Sequence, residues 1–290
     1  MIKKTLIELG LISENNLKVF AKKTRDDENC LVQIDVKEKI IFIDRKANES
    51  HYINPIYRDE LNKIYGVNFR DYEDKNDTLR RVATLRQFYQ DKSVVDFGCG
   101  NASFLLAIKD SAHKISAIEL EASAINKLSS LNIPCYNSLE EIKSEFDLIT
   151  FFHSFEHLSN PLKILKTAYK KLKKNGEGFI ILEVPHAKDF LIDRMKNQFF
   201  IESTLWSQHL ILHTKRSLES FLLDAGFKNI YIKGIQRFGL SNHLNWLKNN
   251  QPGGHKQEFS FIFTEKLEVE YEAALSNIDC NDTLIAFAST

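Results

Sequence analysis

The stretch VVDFGCGNASFL, residues 94–105, decides the fold class of this chain. Its apolar start predicts a strand that is buried on both faces. Gly98 and Gly100 then allow a sharp turn and let the backbone approach a ligand closely. Asn101 and Ser103 are candidate caps of a following helix. The order strand, glycine turn, helix predicts a nucleotide-like ligand against the turn, near the positive end of the helix.

A second signal lies one strand further along. Residues 115–120 predict the next strand, and Glu119 at its end follows Gly98 by about 20 residues. A carboxylate at that distance can accept hydrogen bonds from both hydroxyls of a ribose. The two signals together predict a parallel α/β sheet that binds a ribose-containing cofactor. The alternative is an ordinary turn followed by a solvated glutamate.

The residues around Gly100 narrow the choice of cofactor. Dinucleotide sites usually carry a third glycine, and this chain has Ala102 and Ser103 there. Asp96, at the end of the strand, suits a ligand with a positive amino group. The segment resembles the first motif of class I S-adenosylmethionine-dependent methyltransferases, and Glu119 matches their ribose-binding acid.

The resemblance covers about residues 78–236. It implies an α/β fold with a Rossmann-like, seven-stranded, mostly parallel sheet, helices on both faces, and S-adenosylmethionine as the cofactor of an enzyme. The later matching segments are the fourth strand and its turn (146–161), the fifth strand with the preceding glycine turn (172–185), the helix before the sixth strand (218–227) and a seventh strand (283–288).

The resemblance also implies a cofactor site. Arg81 lies just before the first strand, as does Arg80, where such folds often supply a partner for the cofactor carboxylate. The other interpretation is a pair of surface arginines on a helix. The predicted cofactor-binding residues are Asp96, Gly98, Cys99, Gly100, Glu119, Leu120, His153 and Arg81.

Two domains are predicted. Residues 1–77 form an N-terminal extension, with a hairpin at 31–44 and helices after it, that covers the cofactor and substrate. Residues 78–290 form the methyltransferase domain. A helical insertion at 238–282, before the last strand, is a candidate wall of the substrate cleft.

Composition restricts the partners. The chain has 39 Lys and Arg against 39 Asp and Glu, which argues against a nucleic-acid surface. Its four cysteines form no Cys-x-x-Cys pair, so neither a zinc ribbon nor a disulfide framework is indicated. No signal peptide or membrane-spanning run is apparent, and a cytoplasmic protein with a small-molecule substrate is expected.

His209 is the first catalytic candidate. Residues 206–210, with 217–227, resemble a segment of the sugar C-methyltransferases, in which the matching histidine is a base or orients the substrate. Ser207 and Gln208 stand where that pattern has His and Glu. The resemblance implies a sugar, nucleotide sugar or surface-polysaccharide precursor as the substrate. Alternatively, His209 is a histidine packed at the start of a helix.

His153 is the second catalytic candidate, because it directly follows the fourth strand and should face the cofactor or substrate. The spacing His153-x-x-Glu156-His157 matches a zinc motif that requires a helix, whereas a strand end and a turn are expected here. We therefore predict no metal site, and a structural pair between Glu156 and His157.

Other functions remain open at this point. Within the class, a quinone- or phenol-type O-methyltransferase is the second choice. Outside it are an NAD-dependent oxidoreductase and a non-catalytic cofactor-binding subunit. The polar segments 236–243 and 251–255 suit a hydroxylated ligand such as a sugar, or are hydrophilic connections.

Overall fold

The computed structural model describes residues 2–48, 50–53, 67–174, 176–254 and 258–290. In chain order, the strands of these residues are β1 (Leu17–Ala21), β2 (Val32–Asp35), β3 (Ile41–Phe42), β4 (Ser93–Phe97), β5 (Lys114–Ile118), β6 (Cys135–Tyr136), β7 (Leu148–Phe152), β8 (Phe179–Pro185), β9 (Ile211–Leu212), β10 (Lys228–Ile235) and β11 (Thr283–Ser289). The helices are α1 (Ile2–Glu8), α2 (Ser50–Ile53), α3 (Val67–Thr84), α4 (Arg86–Tyr89), α5 (Ser103–Ile108), α6 (Ala122–Ser130), α7 (Pro161–Lys171), α8 (Phe190–Asp193), α9 (Gln198–Thr204), α10 (Lys215–Ala225), α11 (Leu240–Asn249) and α12 (Glu265–Asn277).

A seven-stranded sheet lies at the centre, in the order β10-β11-β8-β7-β4-β5-β6. β4 pairs in parallel with β5 and β7, whereas β11 runs antiparallel to β8 and β10. Successive side chains of a strand point to opposite faces, so Val94 and Leu148 enter one apolar core while Val95 and Ile149 enter the other. The predicted seven-stranded, mostly parallel α/β sheet is confirmed.

A second, four-stranded sheet has the order β1-β2-β3-β9. It contains the predicted hairpin, in which Gln33 pairs with Phe42. It also contains β1 and β9, which the sequence did not reveal. β9 belongs to the connection after β8, and Ile211 pairs with Phe42 across the molecule. The N-terminal segment is thereby joined to the segment that carries His209.

The predicted boundary at residue 77 falls inside α3, which runs through it without a break. The division into two domains stays a prediction. The helices expected after the hairpin are present as α2 and α3, and residues 54–66 between them lie outside the described residues.

The insertion before the last strand is helical, as expected, with α11 and α12 between β10 and β11. Glu272 of α12 accepts a hydrogen bond from the backbone N–H of Gln236 (2.8 Å), which anchors this helix at the end of β10. Among the described residues, no helix combines the length and the apolar character needed to cross a membrane.

Candidate active site

The glycine turn after β4 is pressed against the end of β7. Gly98 has a φ of +70°, and a Cβ placed on it would come within 2.7 Å of the Ser154 Cβ. The Ser154 hydroxyl donates to the carbonyl oxygen of Phe97 (2.7 Å). Only glycine fits this close, left-handed position. Glycine is therefore what lets this turn pack directly against the end of β7.

The expected caps of α5 are wrong. The residue at the N-cap is Ala102, in a left-handed conformation and without a side-chain cap bond. The hydroxyl of Ser103, one residue inside the helix, instead donates to Asp74 of α3 (2.5 Å). The side chain of Ser103 therefore links α5 to α3 beside the turn and does not cap its own helix. Ser103 and Asp74 line a cavity of about 320 Å³ together with Lys75, Thr78 and Leu79.

Glu119 folds back onto the glycine turn. One carboxylate oxygen accepts the backbone N–H of Gly100 (2.8 Å), and the other accepts those of Leu120 (2.7 Å) and Glu121 (3.1 Å). The two signals that the sequence placed about 20 residues apart thus meet at hydrogen-bond distance. The carboxylate lies where a ribose bound against the turn would need it.

Asp96 and Cys99 lie next to the glycines of the turn, and burial disfavours the charged form of both side chains. Asp96 is buried and accepts a hydrogen bond from the hydroxyl of Thr150 (2.7 Å). Burial, reinforced by Glu119, raises the pKa of Asp96 to about 7. Burial also raises the pKa of the half-buried Cys99 thiol, so this side chain is a neutral thiol at pH 7.

Arg81 forms a buried ion pair with Glu183 of β8. Its Nη2 donates to Glu183 Oε1 (2.6 Å) and its guanidinium lies 4.2 Å from the centre of the Phe152 ring. Arg80 donates to the same oxygen (2.8 Å). Burial opposes ionisation of Glu183, but Arg81 and Arg80 outweigh it and hold its pKa well below the usual range. The arginine predicted for the cofactor carboxylate is engaged by a carboxylate of the protein.

The same charge network reaches the end of β10. Asp77 of α3 accepts hydrogen bonds from Arg80 (3.0 Å) and from the guanidinium of Arg237 (3.0 Å to each oxygen). Burial opposes its ionisation, but Arg237 and Arg81 lower the pKa of Asp77. Sequence reasoning missed Glu183 and Asp77. The available signal was an acid within the apolar run of residues 179–185.

His153 lies at the carboxyl end of β7 with a φ of +53°. Its backbone N–H donates to the carbonyl oxygen of Glu183 (2.8 Å). Its ring is held between two carboxylates, 3.3 Å from Glu183 Oε1 and 3.6 Å from Glu156 Oε1. Burial and Arg237 oppose protonation, but the two glutamates outweigh them and raise the pKa of His153. The two neighbouring carboxylates therefore stabilise the protonated form of this ring.

His209 reaches the same place from a distant segment. Its ring centroid lies 5.0 Å from that of His157, and the backbone N–H of Leu210 donates to the carbonyl oxygen of Glu156 (2.8 Å). Burial and His157 lower the pKa of His209 to about 3, so the ring is neutral at pH 7. The two predicted catalytic histidines, His153 and His209, therefore converge on Glu156.

Glu156 lies in the single 3-10 turn Phe155–His157 after β7, which confirms the expected strand end and turn. Its carboxylate is 3.8 Å from His157 Nε2, the predicted pair. The residue is only 1% exposed, and within the described residues neither carboxylate oxygen accepts a hydrogen bond. Burial raises its pKa, but His157, His153 and His209 outweigh this and lower it. The carboxylate is charged and surrounded by imidazoles.

The polar segment 236–243 directs many of its hydrogen-bonding groups into the protein. The Gln236 amide donates to Asp282 (2.9 Å), and His243 Nδ1 lies 2.7 Å from the hydroxyl of Tyr271. In the second polar segment, residues 251–255, His255 lies outside the described residues. The expectation of a hydroxylated ligand here stays a prediction.

Comparison with known proteins agrees with this geometry. The profile of a family described as a methyltransferase domain matches residues 69–232, more than half of the chain. The ubiquinone biosynthesis O-methyltransferase of Pseudomonas paraeruginosa is 21% identical over 165 residues, which are 52% of this chain and 71% of that protein. The crystal structure of an S-adenosylmethionine-dependent methyltransferase from Archaeoglobus fulgidus superposes with a TM-score of 0.52 at 16% identity, over 75% of this chain and 94% of its own. At this identity the structural similarity shows the shared fold.

Proposed function

Because this chain belongs to the methyltransferase-domain family and is an S-adenosylmethionine-dependent enzyme, we propose that it methylates a hydroxyl oxygen of a small molecule, with His153 accepting the hydroxyl proton. When bound, S-adenosylmethionine supplies a methyl group on a sulfonium, which is transferred by in-line displacement with S-adenosylhomocysteine as the leaving product. The protein must hold the acceptor in line and remove one proton. Alignment contributes about 7–11 kcal/mol in such reactions.

The residues at the turn fit this cofactor. Gly98 and Gly100 leave the backbone open, and Glu119 already presents its carboxylate to the backbone N–H of Gly100 (2.8 Å). Glu119 is the proposed ribose ligand, and Asp96 is proposed to receive the amino group. Cys99 and Leu120 complete the proposed lining.

Arg81 takes a different part in this proposal. Its guanidinium is bonded to Glu183, which itself faces His153. A direct contact between Arg81 and the cofactor carboxylate stays a prediction. The contacts support a role in which Arg81 and Arg80 fix the charge and orientation of Glu183, and through it the ring of His153.

The observation that carries the proposal is the position of His153. It lies one residue before Ser154, which touches the glycine turn, and its ring lies between the carboxylates of Glu183 and Glu156. An imidazole that takes a proton becomes positive, and two neighbouring carboxylates stabilise that charge. A base placed in this way contributes roughly 10²–10⁴-fold to the rate.

Oxygen is the proposed acceptor atom because oxygen nucleophiles release a proton that such a base can take. The similarity to an O-methyltransferase of ubiquinone biosynthesis supports the same atom, and supports a phenolic acceptor. The Trp206 ring, whose centroid lies 5.4 Å from that of His209, adds an aromatic side chain at the proposed site. The sugar acceptor implied by the His209 segment has no contact that favours it over a phenol, and it stays a prediction.

The test is a methyl-transfer assay with S-adenosylmethionine and two acceptor panels, catechols and nucleotide sugars, followed by mass spectrometry of the product. We expect methylation of a catechol oxygen. His153→Asn should reduce kcat by about 10²–10⁴-fold without changing the Kd for S-adenosylhomocysteine, whereas Glu119→Ala should weaken that Kd. The exposed His113 provides the control variant His113→Asn. A methyl group found on carbon or nitrogen, or full kcat in His153→Asn, contradicts the proposal.

A further inference from the structure

We propose that Glu156, His157 and His209 form a binding site for one divalent metal ion of the zinc type. One carboxylate oxygen and one ring nitrogen of each histidine lie within 4.8 Å of one another. Two of these residues are neighbours in the turn after β7, and the third comes from the connection between β8 and β9. The metal site deepens the proposed methyl transfer and rests on it, since both use the same edge of the sheet.

In the part of the chain that the structure describes, the Glu156 carboxylate is buried and lacks hydrogen bonds that would compensate its charge. It is 1% exposed, and neither of its oxygens accepts a hydrogen bond within the described residues. A buried carboxylate without hydrogen bonds is unfavourable unless a cation compensates it. The imidazoles of His153 and His157 approach it at 3.6 and 3.8 Å, and each compensates it only when protonated. A metal ion would compensate it with both rings neutral.

The tautomer of His157 fits metal binding. Its Nδ1 lies 2.9 Å from the carbonyl oxygen of Gln208, which can only accept a hydrogen bond. Nδ1 must therefore carry the proton, and Nε2 keeps its lone pair on the side of Glu156. Histidines that bind metals are commonly fixed in this way, with the other ring nitrogen donating to a carbonyl.

His209 supplies the third ligand atom. Its Nδ1 is buried and makes no hydrogen bond with any part of the chain that the structure describes. The segment is held in place by the hydrogen bond from the backbone N–H of Leu210 to the carbonyl oxygen of Glu156 (2.8 Å). The Trp206 ring also makes edge-to-face contacts with the rings of His157 and His209. The three ligands are therefore positioned by the fold before any ion binds.

The donor set defines the class of ion. Two imidazole nitrogens and one carboxylate oxygen suit Zn²⁺, whereas Mg²⁺ and Ca²⁺ prefer oxygen ligands throughout. Three protein ligands leave one position of a tetrahedral ion open. An acceptor hydroxyl bound there would lose its proton more readily. His153, whose ring lies 3.6 Å from Glu156, borders the site.

The first experiment measures the metal content of the purified full-length chain by plasma mass spectrometry. After treatment with a chelator, the chain is titrated with Zn²⁺ and separately with Mg²⁺, following heat of binding and Tm. We expect about one Zn²⁺ per chain, with a rise in Tm of a few degrees when Zn²⁺ is in large excess over its Kd. We expect no response to millimolar Mg²⁺.

Two variants test the ligands independently. Glu156→Gln and His209→Asn should each weaken Zn²⁺ binding by at least about 100-fold, and the exposed-histidine control His113→Asn should not. Circular dichroism and binding of S-adenosylhomocysteine report whether each variant folds. If the buried substitution Glu156→Gln prevents folding, His209→Asn tests the metal site by itself. Absence of Zn²⁺ binding by the wild-type chain overturns the proposal, and so does wild-type affinity in folded variants.

The outcomes also separate the metal site from the proposed function. A chain that binds no Zn²⁺ but still methylates oxygen overturns the metal site and leaves O-methylation standing. A chain that binds Zn²⁺ through these residues but methylates carbon or nitrogen supports the metal site and contradicts O-methylation.

Discussion

The carboxylate of Asp26 holds Ser207 across 181 residues of sequence, accepting its backbone N–H (2.9 Å) and its hydroxyl (2.6 Å). Ser207 is buried and lies two residues before His209. Beside it, the guanidinium of Arg25 lies 5.1 Å from the centre of the Trp206 ring. The N-terminal extension therefore fixes the segment that brings His209 to Glu156.

Removal of the Asp26 carboxylate should loosen the candidate site. Asp26→Ala is expected to lower the free energy of unfolding by about 1–2 kcal/mol, because three hydrogen bonds to a charged group are lost, two from Ser207 and one from the Thr24 hydroxyl. Turnover and Zn²⁺ binding should fall, while the Kd for S-adenosylhomocysteine should stay the same. Chemical unfolding, metal titration and calorimetry measure these effects. Glu28→Ala, which removes an exposed acid nearby, is the control. Equal turnover in both variants would show that Asp26 does not position the segment.

Alanine substitutions at Gly98 and Gly10 distinguish the cost of backbone strain from the cost of a steric contact. Both have a left-handed backbone, with φ of +70° and +64°, but only a Cβ on Gly98 would meet Ser154 at 2.7 Å. Gly10→Ala should therefore show the conformational penalty alone, about 1–2 kcal/mol. Gly98→Ala should lose more stability and bind S-adenosylhomocysteine at least about 10-fold more weakly, because the turn must move. Denaturant unfolding and calorimetry on the two variants decide this. Similar losses in both would mean that the contact with Ser154 is easily relieved.

The pair of Arg81 and Glu183 should show strong coupling in a double-mutant cycle. Arg81→Met leaves a buried carboxylate with Arg80 as its remaining close arginine, and a loss of about 2–4 kcal/mol is expected. Glu183→Gln alone leaves Arg80 and Arg81 without the negative charge that they share. The double variant should be more stable than the sum of the single losses predicts. Additive losses would indicate that the ion pair contributes little.

Asp147, at the opposite end of β7 from His153, should make stability depend on pH in the acid range. Burial opposes ionisation, but hydrogen bonds from Lys173 and Ser93 outweigh it and lower its pKa to about 2. A lowered folded pKa contributes stability above the unfolded pKa, and this contribution is lost as pH falls through the folded value, here between roughly pH 4 and pH 2. The Tm difference between wild type and Asp147→Asn should be largest near pH 6 and shrink towards pH 3. Asp110→Asn, at an exposed position, is the control. A constant difference would contradict the assignment.

The meeting of Glu119 with the glycine turn could be predicted from sequence because its signals are local. Gly98 and Gly100 are set by the backbone geometry of one turn, and Glu119 follows at the spacing of one strand-helix-strand unit. The structure places the Glu119 carboxylate 2.8 Å from the backbone nitrogen of Gly100, as that spacing requires. The side chains around the turn were harder to predict, since Ser103 bonds to Asp74 rather than capping its own helix.

The proposed acceptor side of the site, with His153 and His209, could be predicted only in part. His153 and His209 were identified singly, from a strand end and from a resemblance, and no spacing rule relates residues so far apart. Glu183 was missed because an acid in an apolar strand has meaning only once Arg80 and Arg81 are known to face it. The strand β9 was missed because two residues carry too little periodicity, and its pairing with Phe42 is entirely non-local.

The sequence by itself determined the alternation of strands and helices in the seven-stranded sheet, the glycine turn and the acid that faces it, because these depend on backbone conformation and on spacing within one structural unit. Only the tertiary structure decided which charged side chains meet. It joined Asp26 to Ser207, Arg81 to Glu183, and His209 to Glu156 and His157. Such pairings depend on the packing of segments far apart in the chain, where burial makes each charge select a partner and the amino-acid order alone does not specify which one.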